Sequence, residues 1–216
     1  MYIAFEGIGG VGKSTQIKIF TGLVSAAGLA VALFREPGGT AAGERLRELL
    51  LNKELELSPR SQLLLFAAAR FQLMPAIAAA ETDNCIVVTD RCVATSYAYQ
   101  GAAMGVPPSV IESAHSGLRW PDVIVRLHLN PAEAVRRRRS RDDRYQKDVE
   151  FMTAAARGYS SLPLNSIMVD VAAAGDPLTV AESVYTKLMP HVPGLPAVNI
   201  PLVGAPFVEF SSPTSA

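Results

Sequence analysis

Short aliphatic runs recur along the chain, separated by longer segments whose apolar residues return every three or four positions. A strand covered on both faces reads as an unbroken apolar run, and a helix with one buried face as a 3.6-residue period. The alternation of the two is the pattern of a parallel sheet with crossover helices. Strands are expected at residues 2–6, 30–34, 85–90, 123–129 and 167–171. Helices are expected at 14–27, 42–51, 59–80, 94–104, 110–116, 131–139, 149–161 and 178–190. Pro75 should end or kink the third helix near its middle, because proline lacks an N–H and its ring meets the preceding turn. These elements make an open three-layer α/β domain over residues 1–190, with a five-stranded parallel sheet and helices on both faces. Residues 191–216 turn Pro-rich, with Pro193, Pro196, Pro201, Pro206 and Pro213, and read as a tail that is either extended or disordered.

Composition narrows the classes. The 216 residues are 49% hydrophobic and 19% charged, enough to build a core and unlike a disordered chain. Twenty basic and twenty acidic side chains cancel, so no nucleic-acid partner is expected from the overall field. Cys85 and Cys92 do not make a disulfide framework. The first six residues lack a basic leader, and no apolar run reaches the roughly 18 residues that span a bilayer. A soluble, cytoplasmic protein with no membrane partner is expected.

The strongest local signal follows the first strand: Gly7-Ile8-Gly9-Gly10-Val11-Gly12-Lys13-Ser14. It satisfies G-x-x-x-x-G-K-[ST] between a strand and a helix, the setting this phosphate loop requires. Glycines let successive backbone N–H groups converge on one concavity at a helix N-terminus, where a phosphate sits. Gly7, Gly10, Gly12, Lys13, Ser14 and Thr15 are the candidate triphosphate ligands, with Lys13 reaching the β- and γ-phosphates and Ser14 holding Mg²⁺. ATP is the expected first ligand, on a P-loop NTPase fold. The loop alone leaves kinase, GTPase, motor and transporter subunit open. No Asn-Lys-x-Asp base-reading motif is present and the chain is short for a motor, which favours a small-molecule kinase.

Further motifs follow in order. Arg35-Glu36-Pro37-Gly38-Gly39-Thr40 comes after the second strand, then Leu57-Ser58-Pro59-Arg60 and 63–70 ending in Phe66 and Arg70. Asp90-Arg91 closes the third strand, with Thr95, Ser96 and Ala98-Tyr99-Gln100-Gly101 downstream. Six arginines fall in 136–144, and Gly158-Tyr159 lies beyond them. With Phe5-Glu6-Gly7 and the phosphate loop, this series resembles the thymidylate kinase family over residues 1–190.

The chemistry fits that resemblance. Transfer between nucleotides must bring two mutually repelling phosphates together, which calls for cations on both. Arg35, past a strand end, can grip an acceptor phosphate bidentately, and Asp90-Arg91 ends a central strand where ligands collect. The resemblance implies that Phe66 stacks on thymine, that Arg70 hydrogen-bonds its carbonyl, and that Arg91 binds the acceptor phosphate. It further implies that Asp90 organises Mg²⁺ or the phosphates, and that Thr95, Tyr99 and Gln100 approach base and sugar. By resemblance, residues 136–148 form an arginine-rich lid. Because Gly9, Gly10 and Val11 carry no cation, Arg139, Arg141 or Arg144 must supply the catalytic one. A homodimer is implied as well, and the apolar residues 63–69 and 76–80 are compatible with it.

Two positions depart from the family pattern: Gly9 stands where an acidic residue is usual, and Cys92 where a Tyr or His follows Asp-Arg. Both bear on the acceptor. The expected activity is phosphorylation of dTMP to dTDP, with a different or modified pyrimidine nucleotide, or a non-catalytic nucleotide-binding regulator, as alternatives. Cys92 is either a thiolate activated beside Arg91 or a buried, inert thiol.

Overall fold

The computed structural model describes residues 1–137, 144–145, 148–163 and 165–197. Five strands form one parallel sheet: β1 (Tyr2–Glu6), β2 (Val31–Arg35), β3 (Ile86–Asp90), β4 (Val123–His128) and β5 (Ile167–Ala172). Their spatial order is β2-β3-β1-β4-β5. β1 and β3 are wholly or nearly wholly buried, which is why their sequences read as aliphatic runs without alternation.

The helices are α1 (Lys13–Ala26), α2 (Ala41–Leu51), α3 (Pro59–Thr82), α4 (Ala94–Ser96), α5 (Pro108–Ala114), α6 (Pro131–Arg137), α7 (Val149–Gly158) and α8 (Pro177–Leu188). α4 runs directly into a wide π-helical stretch, Tyr97–Ala103. Right-handed crossovers dictate the layers. The chain passes from β1 leftward to β2 through α1 and then rightward through every later strand, so α1 lies on the opposite face from α3, α5 and α7. α7 packs against the π-helical stretch, as this requires, and α8, which follows the last strand, packs beside α1. Thr40, Ser58 and Asp148 cap α2, α3 and α7 with side-chain oxygens.

α3 departs from expectation twice. It runs for 24 residues through Pro75 without interruption. Pro75 is exposed while Leu73 and Ile77 are buried on either side, so water can serve the carbonyl that lost its donor and packing holds both turns. By length and composition this helix could also cross a membrane, although no run of that kind is anticipated from the sequence. Here it is a core helix: Leu63, Phe66, Leu73 and Ile77 are buried in the protein, and so is the charged Arg70.

The chain crosses from β1 over β3 to reach β2, so β1 and β3 are neighbours and their carboxyl ends share one crevice. Phe5 and Arg35 both stand in register with Asp90, which sets the start of the phosphate loop beside the end of β3. Beyond α8, Val192 and Leu195 remain part of the core, and the Tyr185 hydroxyl donates to the Pro196 carbonyl at 2.9 Å.

Candidate active site

The loop after β1 is shaped by glycine where side chains cannot go. Gly7 has φ 135°, and a Cβ there would stand 2.3 Å from the Leu127 carbonyl oxygen. Gly12, at φ 95°, starts α1 by accepting from the N–H groups of Thr15 and Gln16. Lys13, almost fully buried, folds back over the loop and donates to the carbonyls of Gly7 (2.9 Å) and Ile8 (3.1 Å). The Ser14 hydroxyl donates to Asp90 Oδ2 at 3.2 Å, while Asp90 Oδ1 is buried without a hydrogen-bond partner among the described residues. A hydroxyl beside a carboxylate with one unspent oxygen is a hard donor pair that fits Mg²⁺ shared with substrate phosphates. No cluster of three His, Cys, Asp or Glu side chains forms a cage among the described residues.

Next to the loop lies a cavity of about 250 Å³. Eight of the residues singled out in the sequence line it: Lys13, Ser14, Arg35, Phe66, Asp90, Arg91, Thr95 and Tyr99. Arg47, Glu36 and Tyr145 join them without having been anticipated. Four cations thus face one small space. Their mutual repulsion is visible at Arg47, whose pKa is pulled down by burial and then by the charge of Arg35. Arg35 is steadied by Glu44 at 2.9 Å, and the other oxygen of Glu44 accepts from the N–H of Gly39.

Arg91 sits at φ 81°, a left-handed conformation unusual for a side-chain-bearing residue. Its N–H continues the β3 ladder to the Phe5 carbonyl, while its Nη1 donates to the Gly7 carbonyl and Thr95 hydroxyl, each at 3.3 Å. Behind it, the fully buried carboxylate of Glu6 accepts from the N–H groups of Cys92 and Thr95 and from the hydroxyls of Thr95 and Tyr159. Glu6 and Tyr159 stand in quoted motifs, yet nothing in the sequence alone assigns them this task. Gly158 lets α7 come close enough: a Cβ there would be 2.7 Å from Ala98 Cα.

Aromatic rings form the far wall. Phe66 and Tyr145 lie 5.5 Å apart by centroids, and Tyr145 stands edge-on to Tyr99 at 6.2 Å. The Tyr99 hydroxyl accepts from the Gly9 N–H at 3.2 Å, so the loop position that lacks a side chain touches this tyrosine through its backbone. Gln100, on the π-helical stretch, is fully buried with neither end of its amide hydrogen-bonded among the described residues.

Arg70 does not line the cavity. It lies behind Phe66, 5.4 Å from that ring's centroid, and donates to Glu36 Oε2 at 2.6 Å, the Ser96 hydroxyl at 2.8 Å and the Cys92 carbonyl at 3.0 Å. Arg144 is also elsewhere, donating to the backbone carbonyls of Leu50, Asn52 and Leu55 at the end of α2. Arg139 and Arg141 lie outside the described residues. Cys92 is no activated thiolate: burial, and then the charges of Glu6 and Glu36, push its pKa well up.

Burial raises the pKa of Glu36 to about 7 against the pull of Arg70. A carboxyl whose pKa is raised in the folded state stabilises the protein below its ordinary pKa and loses that contribution as pH climbs through about 7. His115, held down at about 4 by burial and Arg70, runs the opposite way between about 4 and its ordinary range. The two oppose one another in the parent, so a variant is needed to separate them. The stability of Glu36→Gln relative to the parent should rise by roughly 2–3 kcal/mol between about pH 5 and 8, measured by urea unfolding. A difference that stays constant over that range would contradict the assignment.

Comparison with known proteins agrees with this geometry. Residues 5–180 match the thymidylate kinase family. A thymidylate kinase of Caldanaerobacter subterraneus subsp. tengcongensis is 37% identical over 180 residues, covering 78% of this chain and 86% of the relative. One from a Thermoanaerobacter species is 39% identical over 168 residues, covering 74% and 82%. One from a Synechococcus species is 35% identical over 205 residues, covering 89% and 97%. With a glycine loop that closes on its own lysine and a cation-lined crevice between β1 and β3, this chain belongs to the thymidylate kinase family.

Proposed function

We propose that the cavity beside the phosphate loop is where ATP hands its γ-phosphoryl group to dTMP, giving dTDP and ADP. The single observation that carries this is the convergence of Lys13, Arg35, Arg47 and Arg91 on one space walled by Phe66 and Tyr99. Gly7, Gly10, Gly12, Lys13, Ser14 and Thr15 hold the donor phosphates, and Arg35 and Arg91 hold the acceptor's. An oxygen of the acceptor phosphate attacks the γ-phosphorus as the bond to the ADP oxygen breaks, so the protein's task is alignment and charge neutralisation. Ser14 and Asp90 would hold Mg²⁺, which when bound neutralises charge on the donor phosphates.

Phe66 covers the face of the base, and Arg70, Thr95, Tyr99 and Gln100 serve its edge and the sugar. The unsatisfied amide of Gln100 supports this, since a pyrimidine edge offers both a donor and an acceptor. The last cation comes from a lid at 136–148, through Arg139, Arg141 or Arg144, because the loop itself has none at Gly9, Gly10 and Val11. A homodimer is supported by the exposed apolar stripe Leu64, Ala68, Phe71 and Pro75 along α3. The cytoplasm, where ATP and nucleoside monophosphates meet, is the proposed compartment.

A second acceptor is favoured by one position, Gly9, which meets Tyr99 through its backbone N–H and has no carboxylate to offer a sugar. Steady-state kinetics with dTMP, dUMP, UMP and dCMP decides between them. The highest kcat/KM is expected for dTMP; a clear preference for another pyrimidine would replace it as the substrate.

A further inference from the structure

Behind the base pocket, α5 ends on a histidine that the transfer reaction does not use. His115 is buried, and two neighbours fix its protons. The Ile111 carbonyl, 2.8 Å from Nδ1, can only accept, so Nδ1 carries the hydrogen. Arg70 Nη1, 2.9 Å from Nε2, can only donate, so Nε2 is bare. The ring is therefore a neutral acceptor in one tautomer. Its low pKa, about 4, agrees, since burial disfavours a charged ring and a second ring proton would face the guanidinium directly.

Arginine has five N–H groups. In Arg70, Nε–H goes to Glu36, the two Nη1 hydrogens to Ser96 and His115, and one Nη2 hydrogen to the Cys92 carbonyl. One hydrogen, on Nη2, has no acceptor among the described residues. Four acceptors from three separate segments hold the guanidinium plane against Phe66, and His115, just past the end of α5, is the one that comes from neither the β2 end nor the turn after β3.

We propose that His115 is a positioning residue for base selection: by accepting from Nη1 it fixes the Arg70 guanidinium so that its unspent Nη2–H serves a pyrimidine with a carbonyl at C4. This rests on the assignment of Phe66 and Arg70 to the base. A carbonyl accepts that hydrogen, whereas the C4 amino group of a cytosine base offers another donor and leaves both unpaired. Without His115, the freed Nη1–H competes for the ligand, and one of the four acceptors that hold the plane is gone.

The test uses the full chain and three variants. His115→Leu should raise KM for dTMP about tenfold, with kcat and KM for ATP within about twofold of the parent. The dTMP to dCMP ratio of kcat/KM should fall by a similar factor, a change that a loss of stability alone would not produce. His115→Gln, whose Oε1 can stand where Nε2 does, should restore most of both, and His115→Asn, whose shorter amide cannot, should not. An unchanged ratio in His115→Leu, or a Gln variant no better than Leu, overturns the proposal. Imidazole nitrogen NMR of the parent near neutral pH gives a readout independent of folding in the variants. A bare Nε2 whose resonance moves when dTMP binds is expected; a proton on Nε2, or no movement, overturns it. If the parent phosphorylates neither nucleotide, the assignment of the reaction fails, while the tautomer still reports on the placement of His115 against Arg70.

Discussion

Lys13→Ala lowers kcat by about a thousandfold or more, with melting behaviour close to that of the parent. The ammonium lies over the loop on the carbonyls of Gly7 and Ile8, at the first position of α1, where donor phosphates would enter. One preorganised charge facing charge that develops in the transition state is worth about 10²–10³ in rate. In the proposed reaction Lys13 would also bridge the donor's β- and γ-phosphates, so positioning is lost along with charge. The fold should survive, because α1 is anchored by Ile17, Phe20 and Val24, which are buried in the core and untouched by the change. Coupled measurement of ADP release checks this. Activity within about tenfold of the parent would show that the loop does not hold the transferred phosphate.

The second large effect is on stability. Glu36→Ala leaves the Arg70 guanidinium buried with its closest acceptor gone, and breaking one side of such a pair costs about 3–5 kcal/mol. For a chain of this length that is a fall in Tm on the order of 10 °C. Adding Arg70→Met removes the stranded charge and fills similar volume, so the double variant should recover most of the loss. Thermal melts of the two single variants and the double variant test the coupling. Strictly additive losses would mean that Glu36 and Arg70 do not depend on one another. The double variant should still bind dTMP poorly, which separates the stability role of the pair from the role proposed for Arg70 at the base.

Much of this site was legible because its chemistry is carried by local sequence. The phosphate loop is one unbroken stretch whose glycines serve backbone geometry, and Asp90-Arg91 marks a strand end where ligands gather. The five strands were legible as short aliphatic runs: β1, β3 and β4 are largely buried on both faces, and the edge strands β2 and β5 keep that composition although they are partly exposed. What escaped depends on partners far apart in sequence. Glu6 reads as the last residue of a strand until Thr95 and Tyr159 are brought to it across 89 and 153 positions. His115 is a lone histidine until Arg70 arrives from α3. Cys92 was ambiguous because proximity to Arg91 in sequence says nothing of the burial, or of the buried carboxylates Glu6 and Glu36 beside it, that hold its thiol protonated. Pro75 misled in the other direction. Its effect on a helix depends on which side faces water, and that is a tertiary fact. The neutral overall charge concealed a segregation as well: Lys13, Arg35, Arg47 and Arg91 come from four separate segments to one cavity.

The central claim is that this cavity joins two nucleotides and passes a phosphoryl group between them. The most direct test follows radiolabel from the γ-phosphate of ATP in the presence and absence of dTMP. Label recovered in dTDP, with ADP formed in equal amount and only when dTMP is present, is the predicted result. Release of label as inorganic phosphate regardless of dTMP would contradict it.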